Sequence, residues 1–228
     1  MAYQEKVEEL KELLGTKGSP VAVKLVKSPE EISDGYSKID AKKRHCEYVQ
    51  DARLEGLEGY ATQEEHLCKG GAGVMGITSI PEPVATGKMY HKLGNYQTLE
   101  ASKETVEAIP KSSENYFASL YSPLETAEFE PDVVILVVNP KQALKISQAL
   151  INKKGGRLSS DYSGIQSVCA DAVVAVKQRG VSNMTLGCNG SRNYAKIGDD
   201  EVIIGIPASQ FNEVVDALET FKEKWGEL

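Results

Sequence analysis

The feature that most constrains the fold is a continuous apolar run near the middle of the chain. Residues 133–138 read Val-Val-Ile-Leu-Val-Val, with no polar residue between them. A half-exposed strand alternates apolar and polar residues, whereas a strand covered on both faces does not. The run therefore predicts a central strand with helices on both sides of its sheet.

Other strands and helices follow from shorter patterns. The β-branched residues of Val21–Val26 predict a strand, and we expect further strands at 116–121, 184–186 and 201–206. Apolar residues at helical spacing predict helices over 3–14, 42–52, 84–93, 99–109, 141–154, 164–179 and from 211 onwards. The glycine-containing stretch 56–62 is interpreted as a loop. Because strands and helices alternate, the expected fold class is α/β or mixed α+β, with a central sheet flanked by helices.

Composition limits the functional classes. The chain has 228 residues and a net charge of -7, which gives no basic face for nucleic acid. It has no apolar stretch of about 18 residues, so no membrane span is expected. The first residues lack the apolar core of a secretory signal, which favours a cytoplasmic location. No long polar linker is visible, so residues 1–228 are expected to form a single compact domain.

The four cysteines are the main functional signal. Cys46, Cys68, Cys169 and Cys188 are separated by 22, 101 and 19 positions. In a reducing compartment, such thiols are more often free, metal-bound or catalytic than disulfide-bonded. There is no C-x2-C pair, so neither a zinc ribbon nor a ferredoxin-type motif is present. The spacing alone leaves both a shared metal site and separate free cysteines open.

The surroundings of each cysteine add to this signal. Cys46 follows three basic residues near a predicted helix start, which favours a thiolate. Cys68 precedes a glycine-rich segment, and Cys188 lies in a glycine-rich turn; backbone N–H groups in such segments can approach a ligand closely. The residues expected to contact a ligand are Gly70, Gly71, Gly187, Gly190 and Arg192.

Cys169 lies on a predicted helix that a capping box at 163–166 would begin. Its apolar stripe, which includes Cys169, predicts that this thiol faces the core. Asp171 falls off the stripe and is interpreted either as a surface residue or as a hydrogen-bond acceptor behind the site. His66 is a further candidate metal ligand, although a single histidine is more often an ordinary hydrogen-bonded side chain.

Several segments together resemble domain-of-unknown-function family 169, an uncharacterised family found largely in archaea and anaerobic bacteria. The resemblance covers nearly the whole chain, and all four cysteines fall on motif cysteines of the family. Relatives often carry another cysteine where this chain has Ser191, so a mechanism that needs two adjacent thiols is not implied. The segments are Ser19–Lys24, His45-Cys46, Leu67–Gly71, Glu128–Val134, Gly156-Arg157, Ile165–Ala172, Gly187–Arg192 and Ile197–Val202.

The family implies no established activity, but its anaerobic distribution suits an oxygen-sensitive iron–sulfur cluster. The favoured hypothesis is therefore that the four cysteines bind one iron–sulfur cluster, most simply of the 4Fe–4S type. The cluster would have a redox, electron-transfer or catalytic role. The expected partner is a redox protein or a small-molecule substrate. One alternative is a non-redox protein for a small anionic metabolite, held by Arg157 and Arg192. Another is a structural zinc site on the same four thiols.

Overall fold

The computed structural model of the protein describes residues 3–226. The helices are α1 (Gln4–Leu14), α2 (His45–Glu55), α3 (Lys69–Val74), α4 (Glu82–Ala85), α5 (Lys88–Lys92), α6 (Leu99–Ala108), α7 (Pro140–Ile151), a π-helix (Ser167–Val174) that continues as α8 (Ala175–Arg179), α9 (Asn189–Asn193) and α10 (Phe211–Trp225). The strands are β1 (Val21–Val26), β2 (Gly59–Thr62), β3 (Ala118–Pro123), β4 (Val133–Val138), β5 (Asn183–Thr185) and β6 (Val202–Pro207).

The strands form one six-stranded sheet in the order β2-β3-β1-β4-β6-β5, and every neighbouring pair is antiparallel. The predicted central sheet flanked by helices is therefore confirmed, and the pairing makes it the mixed α+β arrangement. Strand β4 lies inside the sheet, and all six of its residues are buried, as the apolar run predicted.

Each face of the sheet has its own hydrophobic core. One core packs α1, α7 and α10 against residues such as Ala22, Val134 and Ile204. The other packs α2, α3, α4 and the π-helix against residues such as Val23 and Ile135. Cys46 and Cys169 belong to this second core, so this face of the sheet carries the candidate site. Across residues 3–226, no helix has both the length and the apolar character needed to cross a lipid bilayer.

Three local expectations were wrong. Residues 56–62 are not all loop, because Gly59–Thr62 pairs with β3 as an edge strand. The helix expected over 84–93 is two short helices, separated where Gly87 adopts a positive φ of 77°. The capping box at 163–166 does not begin a helix: Gln166 adopts a left-handed conformation with φ of 51°, and the π-helix begins after it.

Candidate functional site: a cavity lined by four cysteines

All four cysteines line one cavity with a volume of about 710 Å³. Its wall is built from α2, α3, the π-helix and α9, and α4 and α5 contribute the remaining side. Cys46 and Cys169 are buried, Cys188 is partly buried and Cys68 is exposed, and all four are free thiols. The fold thus brings together side chains from four segments that are distant in sequence.

Each cysteine lies at the beginning of its helix. Cys68 precedes α3 and Cys188 precedes α9, each as the N-cap residue. Cys46 is the second residue of α2, and Cys169 is the third residue of the π-helix. Unpaired N–H groups at the start of a helix favour negative charge on a nearby sulfur. Such contacts are formed at α3 and α9: the Gly71 N–H donates to Cys68 Sγ at 3.3 Å, and the Ser191 N–H donates to Cys188 Sγ.

Three of the predicted glycines line the cavity and have little room for a side chain. A Cβ on Gly71 would lie 3.3 Å from Cys169 Sγ and 3.4 Å from Cys68 Sγ, so these two sulfur atoms flank the glycine. A Cβ on Gly70 would lie 3.2 Å from Val84 Cγ1, and one on Gly190 would lie 3.5 Å from Cys188 Sγ. The glycines therefore let the backbone approach the thiols.

Gly187 and Arg192 do not line the cavity. Gly187 has a φ of 88°, and a Cβ there would lie 2.8 Å from Ser191 Oγ, so this glycine is required by the turn. The Arg192 guanidinium donates to backbone carbonyls of the same turn and of the segment after it: Leu186, Ile197, Gly198 and Glu201. The contacts of both residues therefore stabilise the segment that presents Cys188. The other candidate anchor, Arg157, lines a separate pocket beside Ser160 and Met184.

The thiols surround a space and do not converge on a point. Within residues 3–226, no three His, Cys, Asp or Glu side chains lie close enough together to hold a single metal ion. Four thiolates around one zinc ion, each at about 2.3 Å, would have sulfur atoms only about 4 Å apart. A single zinc ion would therefore require the four thiols to move closer together.

Burial sets the protonation of the metal-free thiols. Burial, together with the nearby Cys188 and Cys68 sulfurs, raises the pKa of Cys46 to about 12, so Cys46 is a neutral thiol at pH 7. Burial likewise raises the pKa of Cys169 well above its ordinary value. Burial alone would also raise the pKa of Cys188, but hydrogen bonds from Ser167 and Ser191 to its sulfur outweigh burial and lower it. A thiophilic metal would displace the protons of the two buried thiols.

The two buried histidines belong to a hydrogen-bonded chain behind the cavity. His45 Nδ1 lies 2.7 Å from Tyr121 Oη, which lies 2.9 Å from Ser119 Oγ, which in turn lies 3.0 Å from His66 Nε2. Burial lowers the pKa of His45 to about 3 and of His66 to about 4, so both rings are neutral at pH 7. His45 lines the cavity, whereas His66 does not, so its contacts fit the ordinary hydrogen-bonded role.

Sequence reasoning missed part of the cavity wall. Tyr90 and Gln166 line it together, and Gln166 Nε2 donates to Tyr90 Oη at 2.8 Å. Asp171, for which the sequence allows a surface or an interior role, is buried and accepts a hydrogen bond of 2.9 Å from Thr185 Oγ1. Burial raises the pKa of Asp171 to about 7. The one unusual feature of this part of the wall is the left-handed backbone of Gln166, and no pattern in the sequence indicates that conformation.

Comparison with known proteins assigns a family and no activity. A protein of Methanocaldococcus jannaschii named "Uncharacterized protein MJ0308" is 50% identical over 223 residues, which cover 97% of this chain and 96% of that protein. No solved structure matches this chain. The model of domain-of-unknown-function family 169, described as "Uncharacterised ArCR", matches residues 9–217, a span that includes all four cysteines. The chain therefore belongs to domain-of-unknown-function family 169.

Proposed function

We propose that this protein binds an iron–sulfur cluster through Cys46, Cys68, Cys169 and Cys188, most simply a 4Fe–4S cluster. The observation that carries the proposal is that these four residues, which are all the cysteines of the chain, line one cavity. Four thiolates are the usual ligand set of such clusters. The reducing cytoplasm, where we place the protein, would keep the thiols available.

The size of the cavity that the four cysteines line, about 710 Å³, favours a cluster over zinc. A cubane cluster carries its thiolates at four separate iron corners, so its ligands stand farther apart than those of one ion. Zinc would need the four thiolates to lie only about 4 Å apart around one ion, so metal analysis separates the two alternatives. The absence of a side chain at Gly71 and Gly190 leaves the sulfur atoms of Cys68, Cys169 and Cys188 uncovered on that side.

The surrounding groups suit the negative charge of a thiolate-bound cluster. Backbone N–H groups at the starts of α3 and α9 donate to the sulfur atoms of Cys68 and Cys188. Such groups stabilise negative charge and tune reduction potential. By contrast, the anionic-metabolite alternative loses its anchors, because Arg192 is bonded to backbone carbonyls and Arg157 lies in another pocket.

The exposure of the cavity rim supports an exchange of electrons with a partner. Cys68 is exposed, and the rim carries three apolar side chains with large exposed fractions: Leu67 at 52%, Tyr194 at 54% and Leu93 at 67%. Exposed apolar groups around a site commonly mark a surface for a partner or ligand. We therefore propose a redox, electron-transfer or cluster-based catalytic role.

The test is anaerobic purification followed by iron, sulfide and zinc analysis and absorption spectroscopy. A 4Fe–4S protein would carry about four iron and four sulfide per chain and be brown. Replacing any one cysteine with serine should lower the iron content or change the spectrum, while the protein stays folded by circular dichroism. A protein that is colourless when purified without oxygen, and stays iron-free after incubation with iron and sulfide, would overturn the proposal. Zinc alone on the same thiols would support the structural alternative.

A further inference from the structure

A second pocket lies beside α7 and β5, away from the cysteine cavity. It has a volume of about 320 Å³, near the lower end of the range of small-molecule sites, about 300–1,000 Å³. Its apolar residues Leu150, Met184 and Ile204 pack in or against one core, whereas Cys46 and Cys169 belong to the core on the opposite face of the sheet. The pocket is therefore separate from the site proposed for the cluster.

Arg157 lines this pocket, and its guanidinium has no partner among residues 3–226. The residue is exposed, and its side chain forms neither a hydrogen bond nor an ion pair with the described part of the chain. The other four arginines of the chain each have polar partners: Arg44, Arg53, Arg179 and Arg192. A guanidinium presents its donors as a rigid planar fork that matches phosphate and carboxylate groups. The unpaired fork of Arg157 therefore suits an anion.

Serine hydroxyl groups surround the same pocket. Four serines line it with side chains that form no hydrogen bond within residues 3–226: Ser147, Ser159, Ser160 and Ser182. No carboxylate from the described residues lines the pocket. Asp161, which follows the lining segment, is already paired with Arg179 at 2.9 Å. The polar part of the lining thus provides a cation and several hydroxyl donors without a negative charge.

The segment that carries Arg157 is held at both ends. Gly155 and Gly156 have φ values of 68° and 88°, and the Gly155 N–H donates to the Ile151 carbonyl at 2.7 Å, so the chain turns directly after α7. At the other end, the Asp161 N–H donates to Asn183 Oδ1, and Asn183 Nδ2 donates to the Asp161 carbonyl, both at 2.9 Å. Anchoring of this kind reduces the entropy cost of ordering a loop around a ligand.

We infer that this pocket binds a small organic phosphate. The Arg157 guanidinium would bind two phosphate oxygens, and the serine hydroxyls would donate to the remaining oxygen. The apolar body of the ligand would pack on Leu150 and Met184. A carboxylate has only two oxygens and would leave more of the hydroxyl donors unused, so phosphate fits this lining better. This site goes beyond the proposed cluster and does not depend on it.

The test is calorimetric titration of the full chain, purified without oxygen, with phenyl phosphate and with inorganic phosphate. Both probes carry the anionic group, but only phenyl phosphate adds a small apolar body. We expect phenyl phosphate to bind at least about tenfold more tightly, because its ring would remove apolar surface of the pocket from water.

Two variants test the polar contacts. Arg157→Gln should weaken phenyl phosphate binding at least about tenfold, because it removes a charge-assisted pair of hydrogen bonds. Ser182→Ala, on the segment before β5, should weaken it at least about fivefold. Lys154→Gln is the matched control: it removes the same charge from the same segment, but Lys154 lines a different pocket. At physiological salt this control should change the affinity less than about twofold.

The outcomes that contradict the site are specific. Failure of phenyl phosphate to bind, or equal losses in Arg157→Gln and Lys154→Gln, would overturn it, since equal losses indicate general charge attraction. Equal affinity for inorganic phosphate would overturn the organic ligand. Iron and sulfide analysis of the same samples tests the cluster separately, because neither Arg157 nor Ser182 lines the cysteine cavity.

Discussion

Arg53 and Glu201 form an ion pair with 2.5 Å between Nη2 and Oε1, and it joins the helix that carries Cys46 to the segment that follows Cys188. The Arg53 side chain is 2% exposed and also donates to the Lys17 carbonyl at 2.9 Å. Glu201 accepts a further hydrogen bond of 2.8 Å from the Gly198 N–H. The pair therefore fixes two cysteine-bearing segments relative to each other.

The first prediction concerns this pair and its dependence on pH. Burial alone would raise the pKa of Glu201, but hydrogen bonds from Arg53 and the Gly198 N–H lower it below its ordinary value. A carboxyl with a lowered pKa in the folded state contributes stability above its unfolded pKa and loses it as the pH falls. Glu201→Gln should therefore lower the free energy of unfolding by about 1–3 kcal/mol at pH 7, with a smaller difference below pH of about 4.5.

Urea denaturation at a series of pH values measures this effect. Glu213→Gln is the control, because its ion pair with Lys153 is exposed and should contribute less than about 0.5 kcal/mol. If the Glu201 and Glu213 variants lose equal stability, or if the Glu201 difference grows at acid pH, the role assigned to the buried pair is wrong.

The layered fold was predictable because its signals are local. The uninterrupted apolar residues of β4 required cover on both faces, and the β-branched residues of Val21–Val26 marked a strand with its observed bounds. Strand β2 was missed because nearby glycines resemble a loop. It is held by pairing with β3, about 60 positions away, and no pattern within Gly59–Thr62 indicates that partner.

Only part of the cavity wall was predictable, namely the four cysteines and three glycines, whereas the predicted Gly187 and Arg192 do not line it. The cysteines stand out because thiols in glycine-rich segments have few structural explanations. The contact between Tyr90 and Gln166 joins residues 76 positions apart and depends on a left-handed residue before a π-helix. Periodicity in the sequence predicts an ordinary helix there, so the sequence gives no indication of this half of the cavity.

The second prediction concerns Gly71, which lies between the sulfur atoms of Cys68 and Cys169. In Gly71→Ala, the new methyl group would crowd Cys169 Sγ and Cys68 Sγ at 3.3 and 3.4 Å. Iron content after anaerobic purification should fall at least about twofold. The stability of the metal-free protein should be unchanged or slightly higher, because alanine favours a helix over glycine by about 1 kcal/mol.

Gly190→Ala is the matched control, because its methyl group would lie at an ordinary 3.5 Å from Cys188 Sγ alone. Iron analysis and thermal unfolding of both variants separate a local effect from misfolding. Full iron content in Gly71→Ala would show that the cluster does not occupy the space beside this glycine.

The third prediction orders the thiols of the metal-free protein by reactivity. Cys68 is exposed, whereas Cys46 and Cys169 are buried and burial raises their pKa values. Iodoacetamide at pH 7 should therefore label the exposed Cys68 and the partly buried Cys188, whose pKa is lowered, before the two buried thiols. Cys46 and Cys169 should stay unlabelled until the protein unfolds, because the thiolate is the reactive form. Peptide mapping by mass spectrometry measures the order. Cluster-loaded protein should be protected at Cys68 as well, and rapid labelling of Cys68 in that state would argue against its role as a ligand.

The last prediction concerns the contact that places Cys169. A Cβ on Gly205 of β6 would lie 2.1 Å from the Ala172 carbonyl oxygen, so the π-helix crosses the sheet where the strand has no side chain. Gly205→Ala should push the helix away and lower the free energy of unfolding by about 3 kcal/mol. It should also speed the labelling of Cys169 by iodoacetamide. Ile204→Val, whose side chain packs in the core on the other face, should cost about 1 kcal/mol and leave that labelling unchanged. Equal labelling of Cys169 in the two variants would show that the close approach at Gly205 does not position this thiol.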